Sequence, residues 1–146
     1  MSAFMKIGNY FMKILLRSPL HRMISKNTLL ISYQGRKSGI VYTTPTNFSQ
    51  DGNIIRIVSF RHRVWWRNLR GGRPVTLRLR GKDVQGQADV LSNDSEVAKG
   101  LAAYLQPMPE FAKFFEIGLD ENGIIKPEDL NRAVKTRVII EVTTEE

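Results

Sequence analysis

Leu29-Leu30-Ile31-Ser32-Tyr33 and Ile40-Val41-Tyr42-Thr43-Thr44 are two β-prone runs joined by Gln34-Gly35-Arg36-Lys37-Ser38-Gly39. Branched and aromatic residues favour extended backbone, and two glycines let the chain reverse between the runs. A hairpin is therefore expected here. Its turn carries two cations and a hydroxyl. Arginine grips a phosphate through two parallel hydrogen bonds, lysine adds a point charge, and serine adds a neutral donor. Backbone N–H groups exposed in such a turn extend the same anion site. A solvated hairpin tip draws on the same residue types, so the motif by itself leaves both readings open.

Further strands are predicted downstream. The first covers Thr28–Tyr33 and the second runs over about 40–49. Asp51-Gly52 is a hairpin signal leading into a third strand at Asn53–Phe60. In Val75-Thr76-Leu77-Arg78-Leu79-Arg80 the apolar residues alternate with polar ones, which predicts one buried and one solvated face. Strands at about Val84–Leu91 and Arg137–Val142 complete a set of about six. Asn93-Asp94 can cap a helix over Ser95–Leu105. Short helices are expected at Trp65–Arg70 and Glu110–Ile117, a turn at Asp120–Gly123, and a helix from Pro127 to about Lys135. At the N-terminus, Phe4, Ile7, Phe11, Ile14 and Leu15 recur at helical spacing opposite Lys6, Lys13 and Arg17. This predicts an amphipathic helix over 3–17, ended by Ser18-Pro19. The expected fold class is mainly β with peripheral helices (α+β): a small barrel of about six antiparallel strands with an N-terminal helix. One domain is expected over 1–146, with the amphipathic helix in 1–24 and the barrel with its helices in 25–143.

The chain has no cysteine and two histidines, His21 and His62. That removes thiolate chemistry, disulfides and any multi-histidine metal site. No GxSxG elbow accompanies either histidine, and no carboxylate pair stands out for acid–base work. No catalytic side chain and no metal ligand is assigned. The net charge of +8 asks for an anionic partner. It is concentrated: Arg61, Arg63, Arg67, Arg70, Arg73, Arg78, Arg80 and Lys82 fall within residues 61–82 with no acid among them before Asp83. A chain with phosphate-ready residues and no nucleophile, metal site or base fits a protein whose cofactor supplies the reactivity. Trp65-Trp66-Arg67-Asn68-Leu69 adds a second constellation. Adjacent tryptophans on a helical turn point about 100° apart, so one can enter the core while the other walls a cleft for a planar ring.

Gly35-Arg36-Lys37-Ser38-Gly39, then Thr43-Thr44-Pro45, Asp51-Gly52, Ser59 and Trp65-Trp66-Arg67-Asn68-Leu69, in this order, resemble the deazaflavin-dependent nitroreductase family. The resemblance spans about residues 15–142. It implies a split β-barrel related to the FMN-binding pyridoxamine-phosphate oxidases. It implies coenzyme F-420, whose tail carries a phosphodiester and a polyglutamate, with FMN as the alternative cofactor. It implies that Arg36, Lys37 and Ser38, next to Gly39, hold the phosphate. Thr44 and Pro45 belong to the same cofactor-binding set, and Ser59, Trp65 and Asn68 lie near the ring or its linker. A hydride would pass to a small electron-poor substrate such as an enone, quinone or nitro compound. Tyr104, Phe111, Phe114 and Phe115 are candidates for an aromatic substrate wall, and Arg61, Arg63, Arg78 and Arg80 for the anionic tail. Tyr42-Thr43-Thr44 stands where many relatives carry an arginine, which leaves the turn to hold the phosphate largely alone.

Three partner expectations accompany this reading. Flavin-binding relatives commonly form homodimers, and the apolar first helix is a candidate dimer element. The same helix, residues 3–17, is a candidate for peripheral membrane contact on an otherwise cytoplasmic protein. The absence of cysteine fits a reducing compartment, and Lys6 and Lys13 break the apolar run that a signal peptide would need. A basic module that binds nucleic acid is the rival function, and it is disfavoured because aromatics do not interleave with the basic strand.

Overall fold

The computed structural model describes residues 27–145. The expected N-terminal helix and its membrane or dimer role lie outside these residues. Seven strands form one antiparallel sheet: β1 (Thr28–Gln34), β2 (Val41–Asn47), β3 (Ser49–Asp51), β4 (Ile54–Phe60), β5 (Arg73–Leu79), β6 (Lys82–Leu91) and β7 (Arg137–Thr144). Their order across the sheet is β2-β1-β5-β6-β7-β4-β3. The two edge strands, β2 and β3, are consecutive in the chain, so the sheet curls until its edges approach and β2 touches β4. Such curling hides the edges that would otherwise pair with other chains.

The expectation of about six strands falls short by one because the run over 40–49 is two strands. Phe48 divides it. Its side chain is buried in the core, and its N–H donates to the Asn27 carbonyl at 3.0 Å, closing the β1–β2 register before the chain passes to β3. A bulky apolar residue at this corner anchors the crossing from one edge of the sheet to the other.

Two cores result. The inner one fills the curl with Leu29, Ile31, Ile55, Ile57, Leu77 and Val138, joined by Trp66 and Leu69. The outer one packs the sheet's other face against α1 (Asp94–Leu105), α2 (Pro127–Val134) and a 3-10 segment at Pro109–Phe115. The β7 strand serves both: Val138, Ile140 and Val142 face inward, while Ile139 packs under α1 and α2. Burial on both faces explains its nearly continuous apolar sequence. Full burial of each large aliphatic side chain contributes about 1.5–3 kcal/mol. In β5 the alternation holds, with Val75, Leu77 and Leu79 buried. Arg56 in β4 faces Glu141 of β7 across the ladder, with Nε donating to Oε2 at 2.9 Å. Asn93 caps α1 by accepting the Glu96 N–H at 2.8 Å.

A turn docked on a tryptophan segment beside two pockets

Both glycines of the Gly35–Gly39 turn are required, for different reasons. Gly39 has φ of 69°, in the left-handed region. A Cβ on Gly35 would lie 2.7 Å from the Tyr42 ring and 2.8 Å from Ser38 Oγ. Ser38 Oγ shares a hydrogen bond with the Tyr42 hydroxyl at 3.1 Å and accepts the Ile40 N–H at 3.2 Å. Tyr42 thus steadies the turn through its serine.

The turn lies against the 3-10 segment Trp65–Leu69. The Arg36 N–H donates to Asn68 Oδ1 at 3.0 Å, and the Arg36 guanidinium donates to the Arg70 carbonyl. Asn68 Nδ2 donates back to the Trp65 carbonyl at 3.0 Å. Lys37 is exposed and has no ion-pair partner among the described residues. Two motifs that sequence kept apart are therefore one structural unit. Within it Arg36 and Asn68 serve the docking.

The tryptophans divide as their angular offset predicts. Trp66 is buried in the inner core, with the Arg70 and Arg67 guanidinium groups 4.9 and 5.6 Å from its ring centre. Trp65 is half-buried, and its Nε1 donates to Ser59 Oγ at 3.1 Å. Ser59 in turn donates to the Phe60 carbonyl at 3.1 Å, so its proton is already committed. The rings of Tyr42, Tyr33 and Trp65 form a row with centres 5.9 and 5.8 Å apart. Burial raises the Tyr33 pKa; the hydrogen bond to Thr44 opposes this, and Tyr42 adds to it. The phenol stays neutral near pH 7 and shares its hydrogen bond with Thr44 Oγ1 at 3.3 Å.

Thr44, Pro45, Ser59 and Trp65 line one pocket of about 190 Å³. Thr46, Val58, Phe60 and Arg63 complete its wall. Four residues expected from sequence thus converge. Arg36, Lys37, Ser38, Gly39 and Asn68 are not on this wall but on the adjoining docked unit. A second pocket of about 200 Å³ shares Thr46, Val58 and Phe60 with the first. It is closed by Tyr104, Phe114, Phe115, Asn47 and Arg137. The two together pass the lower end of the roughly 300–1,000 Å³ typical of cofactor pockets. Neither wall includes a carboxylate or imidazole among the described residues. Burial pushes the Tyr104 phenol up to about 12, so it too stays protonated.

Of the other expected cations, Arg61 donates to the Ser92 and Arg137 carbonyls at 2.8 and 3.0 Å. Arg78 pairs with Asp83 at 3.2 Å, and Arg80 donates to Gln50 at 2.7 Å. Arg63 of this group lines the first pocket. Phe111 is not on the second pocket's wall but meets Phe114 edge-on at 5.5 Å. Sequence reasoning reached Phe60 as part of the loop after Ser59 but missed Thr46 and Val58. It also missed Arg137, which no local pattern marks.

A curled antiparallel half-barrel with helices packed on its outer face defines the split-barrel fold. The family model described as F420H(2)-dependent quinone reductase matches residues 17–116, and the chain belongs to that family. A putative pyridoxamine 5'-phosphate oxidase from Listeria innocua superposes with a TM-score of 0.54 at 13% identity, covering 92% of each chain. A structure described as a domain-swapped dimer gives 0.53 at 14%, covering 96% of this chain and 99% of its own. An F420-H2 dependent reductase gives 0.51 at 15%, covering 80% of this chain and 94% of its own. At these identities the likeness is one of fold. A search of curated proteins finds no match. Among the described residues no helix is long and apolar enough to cross a membrane.

Proposed function

We propose that this protein is an F-420-dependent reductase that binds the deazaflavin ring against Trp65 and its phosphodiester at the Gly35–Gly39 turn. Family membership supports the reductase chemistry. The observation that carries the site is the docking of the turn onto the tryptophan segment through Asn68, which sets an anion-binding loop beside a flat aromatic wall. The donor set fits the coenzyme. Lys37 and Arg63 have no ion-pair partner among the described residues, which suits a phosphodiester and an acidic tail. Pro45, Val58 and Trp65 offer apolar surface for a ring, and Thr44 adds a hydroxyl at its edge.

When bound, the coenzyme supplies a hydride for a small electron-poor acceptor. The chain's own residues bind, orient and exclude water. Ser59 fixes the Trp65 indole through its N–H. The neutral phenol of Tyr104 lines the second pocket, and that of Tyr33 supports Trp65 and Thr44 of the first. Among the described residues, neither wall carries a carboxylate or an imidazole for proton transfer.

Titration with F-420 and with FMN, read by Trp65 fluorescence, tests this reading. F-420 should bind with a Kd well below about 100 μM, near −5.5 kcal/mol. Binding of FMN alone would give the pocket to a flavin, and binding of neither would remove the enzyme reading. The domain-swapped relative supports a homodimer for this chain as well; light scattering of the intact chain at two concentrations checks it.

A further inference from the structure

The second pocket contains a cation that folding leaves unsatisfied. Arg137 begins β7 and is half-buried. Its guanidinium carbon sits 4.9 Å from the Phe60 ring centre and 5.3 Å from that of Phe115. Nη1 is spent on the fold, donating to the Ala133 carbonyl at 3.3 Å and Thr136 Oγ1 at 3.1 Å. Nη2 and Nε have no hydrogen-bond partner among the described residues, and no carboxylate lies within 4.0 Å. Burial lowers the Arg137 pKa, and the charge of Glu116 opposes this without forming an ion pair within 4.0 Å. The guanidinium still stays charged, because arginine does not deprotonate in proteins.

Beside this cation the pocket exposes apolar rings. Phe60 is 45% and Phe114 66% exposed, large values for phenylalanines. Tyr104 and Phe115 meet edge-on at 5.8 Å behind them. A flat aromatic ligand would cover the exposed rings. An anionic oxygen on it would take the free guanidinium N–H groups in charge-assisted hydrogen bonds.

We infer that Arg137 makes this second pocket selective for planar electron-poor acceptors that carry an anionic oxygen, such as a carboxylate on an aromatic ring. This rests on the reductase reading for the word acceptor, but the binding preference does not depend on it. Arg137 acts as a specificity residue, and uncharged acceptors of the same shape gain only the aromatic surface.

The test compares 4-nitrobenzoate with 4-nitrobenzamide, which have nearly the same shape and differ in charge. Binding to the intact protein is measured by calorimetry without coenzyme. Wild type should bind the benzoate at least about tenfold tighter, the scale of one charge-assisted hydrogen bond. Arg137→Gln should bring the ratio close to one and leave benzamide binding unchanged. Arg137→Lys should keep part of the preference, and it reads the charge if the glutamine variant fails to fold. A wild-type ratio near one overturns the inference. So does a preference that survives Arg137→Gln, or an equal weakening of both ligands, which marks a merely structural arginine. Because no coenzyme is present, a failed F-420 titration leaves this result standing, and the converse also holds.

Discussion

Asn68 Oδ1 accepts the backbone N–H of Arg36 at 3.0 Å across 32 positions of sequence, while its Nδ2 holds the Trp65 carbonyl. One amide therefore joins the turn to the aromatic wall. Asn68→Ala removes both bonds and should cost about 1–3 kcal/mol of stability. Asn68→Asp keeps the acceptor for Arg36 and loses only the donor, so it should cost less. Urea denaturation ranks the two variants, and an alanine variant as stable as wild type would rule out the bridge.

Arg36 and Lys37 are neighbours with different work. Arg36 is tied to Asn68 and Arg70, whereas Lys37 extends without an ion-pair partner among the described residues. Lys37→Ala should leave the melting temperature within about a degree, as surface changes usually do. It should weaken F-420 about tenfold, through loss of one charge-assisted contact. Arg36→Ala should lower both stability and affinity. Thermal melts alongside the fluorescence titration separate the two patterns.

The Trp65 indole depends on a single hydroxyl for its hydrogen bond. Ser59→Ala leaves that N–H to solvent in a half-buried site and should cost about 1 kcal/mol. The ring then rotates more freely. A red shift and lower anisotropy of Trp65 emission, measured with Trp66→Phe as background, would register this; an unchanged spectrum would contradict it.

Asp129 titrates below its ordinary value of 3.8, first because it accepts the Gly118 N–H, against some burial and with help from Arg132 and Lys126. The N–H bond is 2.8 Å and the Arg132 contact 3.1 Å. A depressed carboxylate stabilises the fold fully above the unfolded pKa and loses that contribution as pH falls through the folded one. Asp129→Asn should therefore melt lower than wild type at pH 7. The gap should narrow from about pH 4 downward. A gap that is constant with pH would place the effect in packing.

Much of the site could be read along the chain because its determinants are local. Gly35 and Gly39 announce the turn, since the backbone needs one for space and the other for a left-handed φ. Trp65 and Trp66 divide between pocket and core because adjacent positions of a helical turn point different ways. Alternation in β5 fixes its buried face. These follow from steric and periodic rules acting over a few residues.

Other features exist only once distant segments meet. Phe48 looks like one more strand residue until the curl of the sheet makes it a corner. Asn68 reads as a ring contact, but pairing of β1 with β2 and β5 brings the turn onto it. Arg137 lacks any motif, and it becomes a pocket cation because β4 and the 3-10 segment deliver Phe60 and Phe115 to its faces. The sequence by itself determined the turn and most of the strands, since each depends on neighbouring residues. Which cations remain free was decided by tertiary structure, because every carbonyl or carboxylate that folding brings close withdraws one of them from a ligand.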